Sequence, residues 1–164
     1  MKNNHNKIWK WVVTVSILVA SAFFVIRATA GEKEYSVYNY PVRPGSEAWT
    51  QLAGHGEMIN ACQLPEEWLK ADTPDLLATV LEYPLLGDLF GWGSFANGVK
   101  HVASYFDGLK ELVTRSDLME SAKQFNFSDL VFKQDYEKEI AEQVLEYLKQ
   151  DPDTWPQGNG IQYP

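Results

Sequence analysis

Phe95, Val99, Val102, Phe106, Leu109 and Val113 follow one another at spacings of 4, 3, 4, 3 and 4. Recurrence every three to four residues lays one apolar stripe along a helix. A strand would need alternation, and positions 95, 97, 99 and 101 mix Phe, Asn, Val and His. The pattern predicts the longest helix of the chain, opening at Ser94. Gly98 and Gly108 lie inside it, each about 1 kcal/mol less favourable than Ala in a helix interior. Asp107-Gly108 is the expected place for that helix to bend or divide.

The same reading predicts five further helical stretches. Residues 55–64 place Met58, Ile59 and Cys62 on one side, and Pro65 ends them, because the residue before proline avoids helical angles. Pro65 then opens a short helix, PEEWLKA, with acids in its first turn. Thr73 as N-cap, Pro74 at the first helical position and Asp75 after it start a helix that stops near Tyr83, before Pro84. Its Leu76, Leu77, Val80 and Leu81 face the core, with Asp75, Thr79 and Glu82 elsewhere. Ser116 or Thr114 caps DLMESAKQF, with Leu118, Ala122 and Phe125 inward. The last helix, near 134–150, turns Tyr136, Ile140, Val144, Leu145 and Leu148 inward and ends at Asp151-Pro152. No stretch alternates cleanly, and no fixed repeat appears. The fold class is all-α: a single compact bundle or short array of about five or six helices.

The ends carry a different signal. MKNNHNKIWK is basic, WVVTVSILVASAFFVI (11–26) is mostly apolar, and Ala28-Thr29-Ala30 offers a small-x-small cleavage site. Together they read as a secretory signal peptide over residues 1–30. A cut at Ala20-Ser21-Ala22 would leave FFVI at the new terminus. The competing reading is an uncleaved anchor, but a run of this length spans about 24 Å as a helix, short of the roughly 30 Å of a bilayer core. Under both readings the lysines hold the N-terminus inside and the rest of the chain lies outside the cytoplasm. The expected localisation is therefore secreted or extracytoplasmic, membrane-anchored only if 11–26 are retained. The remainder divides into an extended segment (31–50, with Pro41, Pro44 and Gly45), a helical domain (51–150) and a turn-rich tail (151–164).

Charge narrows the partners. Residues 1–30 hold four of the 14 Lys and Arg and none of the 22 Asp and Glu, so the remainder carries ten basic residues against 22 acidic ones, a net charge of −12. Nucleic acid demands clustered cations and is not an expected partner. An anionic membrane surface is disfavoured for the same reason. Cys62 is the single cysteine. No intramolecular disulfide can form, so packing must supply the stability, and Cys62 reads as a small buried hydrophobe.

ACQLPEEWL, then LLATVLEYPLLGDLFGW, then FANGVKHVASYFDGLKELVTR carry a resemblance. They join a cysteine–x–[IL]–P turn, a leucine–x–x–V–L–x–Y–P helix end and an F–x–G–L–x–E–L stretch. Over about residues 55–118 the chain resembles a family of secreted helical proteins from Gram-positive bacteria. The resemblance implies export and a helical domain and brings no catalytic residues with it.

Candidate chemistry is sparse. His55, Glu57 and His101 are the weak candidates for a metal, with Cys62 as a soft fourth. Zinc needs about three converging ligands, and His55-Gly56-Glu57 puts two of them two residues apart, the wrong spacing for one helical face. Nothing in the sequence converges on a metal, and no cofactor is expected. There is no G-x-S-x-G turn and no basic neighbour to activate Cys62. GWGSFANG lacks the lysine of a phosphate loop. Glu66-Glu67 and Glu137/Glu139 look like solvated helix faces. Glu82 and Asp88 are the acids in apolar company, where a catalytic carboxyl group would sit.

Aromatic residues are more informative. Trp68 reads as core. Trp92, between Gly91 and Gly93, sits on a loop, and Trp155 in the tail is either a lid on the core or an exposed anchor. Exposed tryptophans anchor protein partners or stack sugars. The expectation is thus a non-catalytic helical interaction module at or outside the cell envelope. Its partner would be another extracellular or envelope protein, met through the loop 87–94 and the tail. The alternatives are an extracellular hydrolase of cell-wall or other polymers, using His55, Glu57, His101 or the acids near 82–88, and a glycan-binding module using Trp92 and Trp155.

Overall fold

The structure, a computed structural model, describes residues 35–132 and 134–156. The signal-peptide or anchor reading of 1–30, residues 31–34 and the tail beyond 156 lie outside the described residues. Among the described residues there are eight α-helices and no strand. They are α1 (Glu47–Thr50), α2 (His55–Ala61), α3 (Glu66–Leu69), α4 (Thr73–Leu81), α5 (Phe95–Val102), α6 (Asp107–Leu112), α7 (Leu118–Gln124) and α8 (Asp135–Leu148). Short 3-10 turns occupy Leu86–Phe90, Phe127–Asp129 and Pro152–Thr154. No described helix is long and apolar enough to cross a membrane.

The all-α class holds, with more and shorter helices than the periodicity suggests. The 95–113 seam is two helices. Phe106 adopts extended angles (φ −116°, ψ 104°) and precedes α6, so the division falls just before Asp107-Gly108. Phe95, Val102, Phe106 and Leu109 are all buried, because the chain turns without leaving the core. Among the described residues the longest helix is instead α8, with 14 residues. The stretch expected to be extended through residue 50 contains α1, whose first turn Ser46 caps by accepting from Trp49 N (3.2 Å).

α4 is the axis of the core. It packs against α6, α7 and α8, and every residue from Leu76 to Leu81 is buried. A helix buried all round over a turn and a half is one surrounded by its neighbours. The side that carries Asp75, Thr79 and Glu82, away from the predicted apolar face, is covered by the segment 35–43. Tyr38 N donates to Thr79 Oγ1 (3.1 Å) and Tyr40 Oη donates to the Thr79 carbonyl (3.1 Å). Ser36 N donates to Asp75 (3.3 Å), and Arg43 pairs with Glu82 at 2.8 Å. Thr79 is fully buried as a result.

The caps of α4 and α7 differ from expectation for one reason. Asp72, not Thr73, caps α4, accepting from Asp75 N. That frees the Thr73 hydroxyl to donate to Asp117 Oδ1 (2.7 Å). Asp117, rather than Ser116 or Thr114, precedes α7, so one hydrogen bond joins the starts of two helices. In α8 the buried stripe is Ala141, Val144, Leu145 and Leu148, with Ile140 beside it; Tyr136, expected inside, is 49% exposed. Trp68 is half-buried, edge-on to Tyr38.

The 3-10 turn Leu86–Phe90 lies between α5 and α8. Its approach to α5 is backbone to side-chain-less backbone. A Cβ placed on Gly98 would stand 1.8 Å from the Leu89 carbonyl oxygen and 2.7 Å from its carbon. Only glycine lets α5 sit this close. Leu89, Phe90 and Phe95 fill the space around this contact.

Leu77 at the centre of α4 is 0% exposed. Leu77→Ala is expected to cost about 2–5 kcal/mol, read as a lower midpoint with unchanged slope in urea unfolding. A loss below roughly 0.5 kcal/mol, the scale of surface changes, would contradict this packing.

Candidate functional site

Between the 3-10 turn and α5 the chain must turn within four residues. Gly93 does so at φ +74°, a region that other residues adopt only with strain. Ser94 then caps α5, its hydroxyl accepting from Asn97 N (3.2 Å). The outcome is a Gly91-Trp92-Gly93 loop that projects Trp92, 44% exposed. The close seat of α5 brings His101 beneath it. The two rings stack with centroids 3.3 Å apart and an interplanar angle of 29°.

Behind this stack runs a continuous chain of contacts. The His101 ring meets Tyr105 edge-on at 5.7 Å. Tyr105 Oη donates to Asp88 Oδ2 (2.8 Å), and His55 Nε2 reaches the same oxygen at 2.9 Å. Asp88 also accepts from Gly91 N through its carbonyl (3.1 Å). Gln63 ties α2 to the junction after α5, donating to the Tyr105 carbonyl (2.8 Å) and accepting from Asp107 N (3.4 Å). Burial, followed by the hydrogen bond to Asp88, holds the Tyr105 hydroxyl well above its ordinary pKa, so it remains a proton donor to that carboxylate. Asp88 thus clamps the base of the Trp92 loop from two sides.

Of the residues singled out on sequence, the structure joins His55, Asp88, His101 and Trp92, with Tyr105 as the unforeseen link. Glu57 does not join them: its carboxylate accepts from Ala53 N (2.7 Å), closing the first turn of α2. Cys62 is buried with its sulfur 3.7 Å from the Val42 carbonyl. Glu82 is held by Arg43. Neither Asp88 nor Glu82 therefore has the unpaired apolar setting expected of them. Among the described residues no three His, Cys, Asp or Glu side chains group as metal ligands. Trp155 is the lid and not the exposed anchor. It is 6% exposed, packs edge-on to Phe95 at 5.0 Å, and donates its indole N–H to the Tyr147 carbonyl (2.9 Å).

Trp92, Asn97, Lys100, His101 and Ser104 line a shallow concavity of about 390 Å³. A wider groove of about 820 Å³ runs beside α8, with Phe125, Phe127 and Tyr147 below Glu139, Glu142 and Glu146. It is larger but gathers none of the connected side chains, so the Trp92 concavity is the better candidate. Near it, Tyr83 stacks flat on Phe106 (3.8 Å, 6°), its hydroxyl buried without a hydrogen-bond partner among the described residues. Burial pushes that hydroxyl far above its usual range.

Burial likewise pushes the Cys62 thiol up to about 11. The folded state holds this proton more tightly than the unfolded chain does. Its contribution to stability is therefore complete below the unfolded thiol pKa, roughly 8.5, and is lost as pH rises towards 11. Unfolding free energy is expected to fall across pH 9–11 and to fall less in Cys62→Ala. A thiol reagent at pH 8 should label Cys62 only after denaturation; labelling of the native protein would contradict its burial. Compared with protein-family models, curated proteins and solved structures, the chain matches none.

Proposed function

We propose that the chain is an exported, non-catalytic helical interaction module that acts at or outside the cell envelope and takes its partner on the Trp92 loop. The observation that carries this reading is the arrangement around Trp92. A large amphipathic ring is held out of the core, 44% exposed, and backed by a stacked imidazole. A fixed aromatic side chain in a polar surround is the usual form of a binding anchor, since little conformational entropy remains to be lost on association. Export rests on the basic, apolar and small-x-small order of residues 1–30 and on the family resemblance over 55–118.

The hydrolase reading draws on the same side chains and fits their contacts less well. It needs a carboxyl group or imidazole open to a substrate. The one Asp88 oxygen nearest the histidine already accepts from two donors, and Glu57 is spent on its own helix. As an interaction surface, the group uses every member as it stands: His55 and Tyr105 hold Asp88, Asp88 holds the loop, and His101 supports the indole.

With the purified protein immobilised against an envelope extract, Trp92→Ala is expected to lose at least tenfold in captured material while its melting temperature stays within a few degrees of wild type. Unchanged capture by the folded variant would place the surface elsewhere.

A further inference from the structure

The Trp92 concavity has a charge opposite to that of the chain. Its lining is an indole, an amide, a hydroxyl, an ammonium group and an imidazole, with no carboxylate. Residues 89–106 contain no Asp or Glu, the longest such run among the described residues, in a chain of net charge −8. Lys100 forms no ion pair among the described residues. Asp88, joined to the site through Tyr105, is engaged by His55 and Tyr105. A local cationic hollow on an acidic surface concentrates anions where the rest of the molecule repels them.

Shape adds the second condition. One face of Trp92 rests on His101, so its exposed surface is the opposite face and the ring edge. A volume of about 390 Å³ is at the small end of ligand sites, roughly 300–1,000 Å³. That suits one or two sugar rings better than a folded partner. The apolar C–H face of a pyranose packs on an indole face, and its hydroxyls find donors and acceptors in Asn97 and in Ser104, whose own hydroxyl donates to the His101 carbonyl (2.6 Å). We infer that the site binds an anionic sugar, a pyranose bearing a carboxylate or phosphate group, with the ring on the open face of Trp92 and the anion at Lys100. This deepens the interaction-module reading and rests on it.

The test is a nuclear magnetic resonance titration of the full chain, following the amides of residues 92–104. The titrants are trigalacturonate, glucose 6-phosphate, maltotriose and inorganic phosphate. Saturable shifts with one or both anionic sugars are expected, and the responding arm names the anionic group. Maltotriose should bind at least tenfold more weakly, and phosphate alone should leave the amides unmoved. Lys100→Gln should weaken the anionic arm at least threefold and leave the maltotriose response unchanged. Trp92→Ala should abolish the shifts at Lys100 and Ser104, while Trp92→Phe retains part of them and shows that the loop is intact. Equal affinity for maltotriose, a response to phosphate alone, or silence of both anionic sugars would overturn the inference. If both are silent while capture from envelope extract still depends on Trp92, the ligand is a protein and the sugar assignment alone fails. If capture is also independent of Trp92, both readings fail.

Discussion

The missing side chain of Gly98 sets the geometry from which the rest of the site follows. α5 lies against the carbonyl of Leu89 at a distance no Cβ could tolerate. A glycine inside a helix is a local weakness of about 1 kcal/mol, and here it is offset by the burial of Leu89, Phe90, Phe95 and Val102 around the contact. That contact fixes the separation of two elements with different cargo. The 3-10 turn carries Asp88 and leads into Trp92; α5 carries Lys100 and His101. Their close seat is what makes a stacked indole and imidazole out of residues nine positions apart.

The remainder of the domain supports this pairing without covalent help. α4 is enclosed on all sides, and the segment 35–43 closes its last open face with backbone and tyrosine hydrogen bonds to Thr79 and an ion pair from Arg43 to Glu82. Tyrosine hydroxyls serve as structural donors here: Tyr40 to Thr79 and Tyr105 to Asp88, both raised in pKa chiefly by burial. They stay protonated over the physiological range and so behave as permanent hydrogen-bond donors. A small domain with a single cysteine needs such aromatic and polar stitching, because packing must hold it together without an internal disulfide.

Periodicity made most of the helices legible. The 3-4 spacing of Phe95 to Val113 located α5 and α6, and Pro65, Pro84 and Ser94 marked real boundaries. What periodicity cannot carry is the third dimension. Gly98 read as a defect because the carbonyl it accommodates lies nine residues earlier in the chain. Thr79 read as lying off the core face because the segment that covers it has no helical pattern of its own. Thr73 read as a cap because its hydroxyl suits that role equally well, and only Asp117 across the fold draws it away. At the site, Trp92 between two glycines was visible in the sequence, whereas its coupling to His55 through Asp88 and Tyr105 depends on three elements meeting. Trp155 had both a lid and an anchor reading, and its packing on Phe95 decides between them.

The most direct measurement is the resonance position of the His101 ring protons in Gly98→Ala. In the wild-type protein the stacked indole of Trp92 should shift these protons strongly upfield through its ring current. If the Gly98 contact positions the stack, the added methyl must push α5 away from Leu89, and the His101 ring signals should move to ordinary histidine positions. A folded Gly98→Ala protein with unmoved His101 signals would contradict the account.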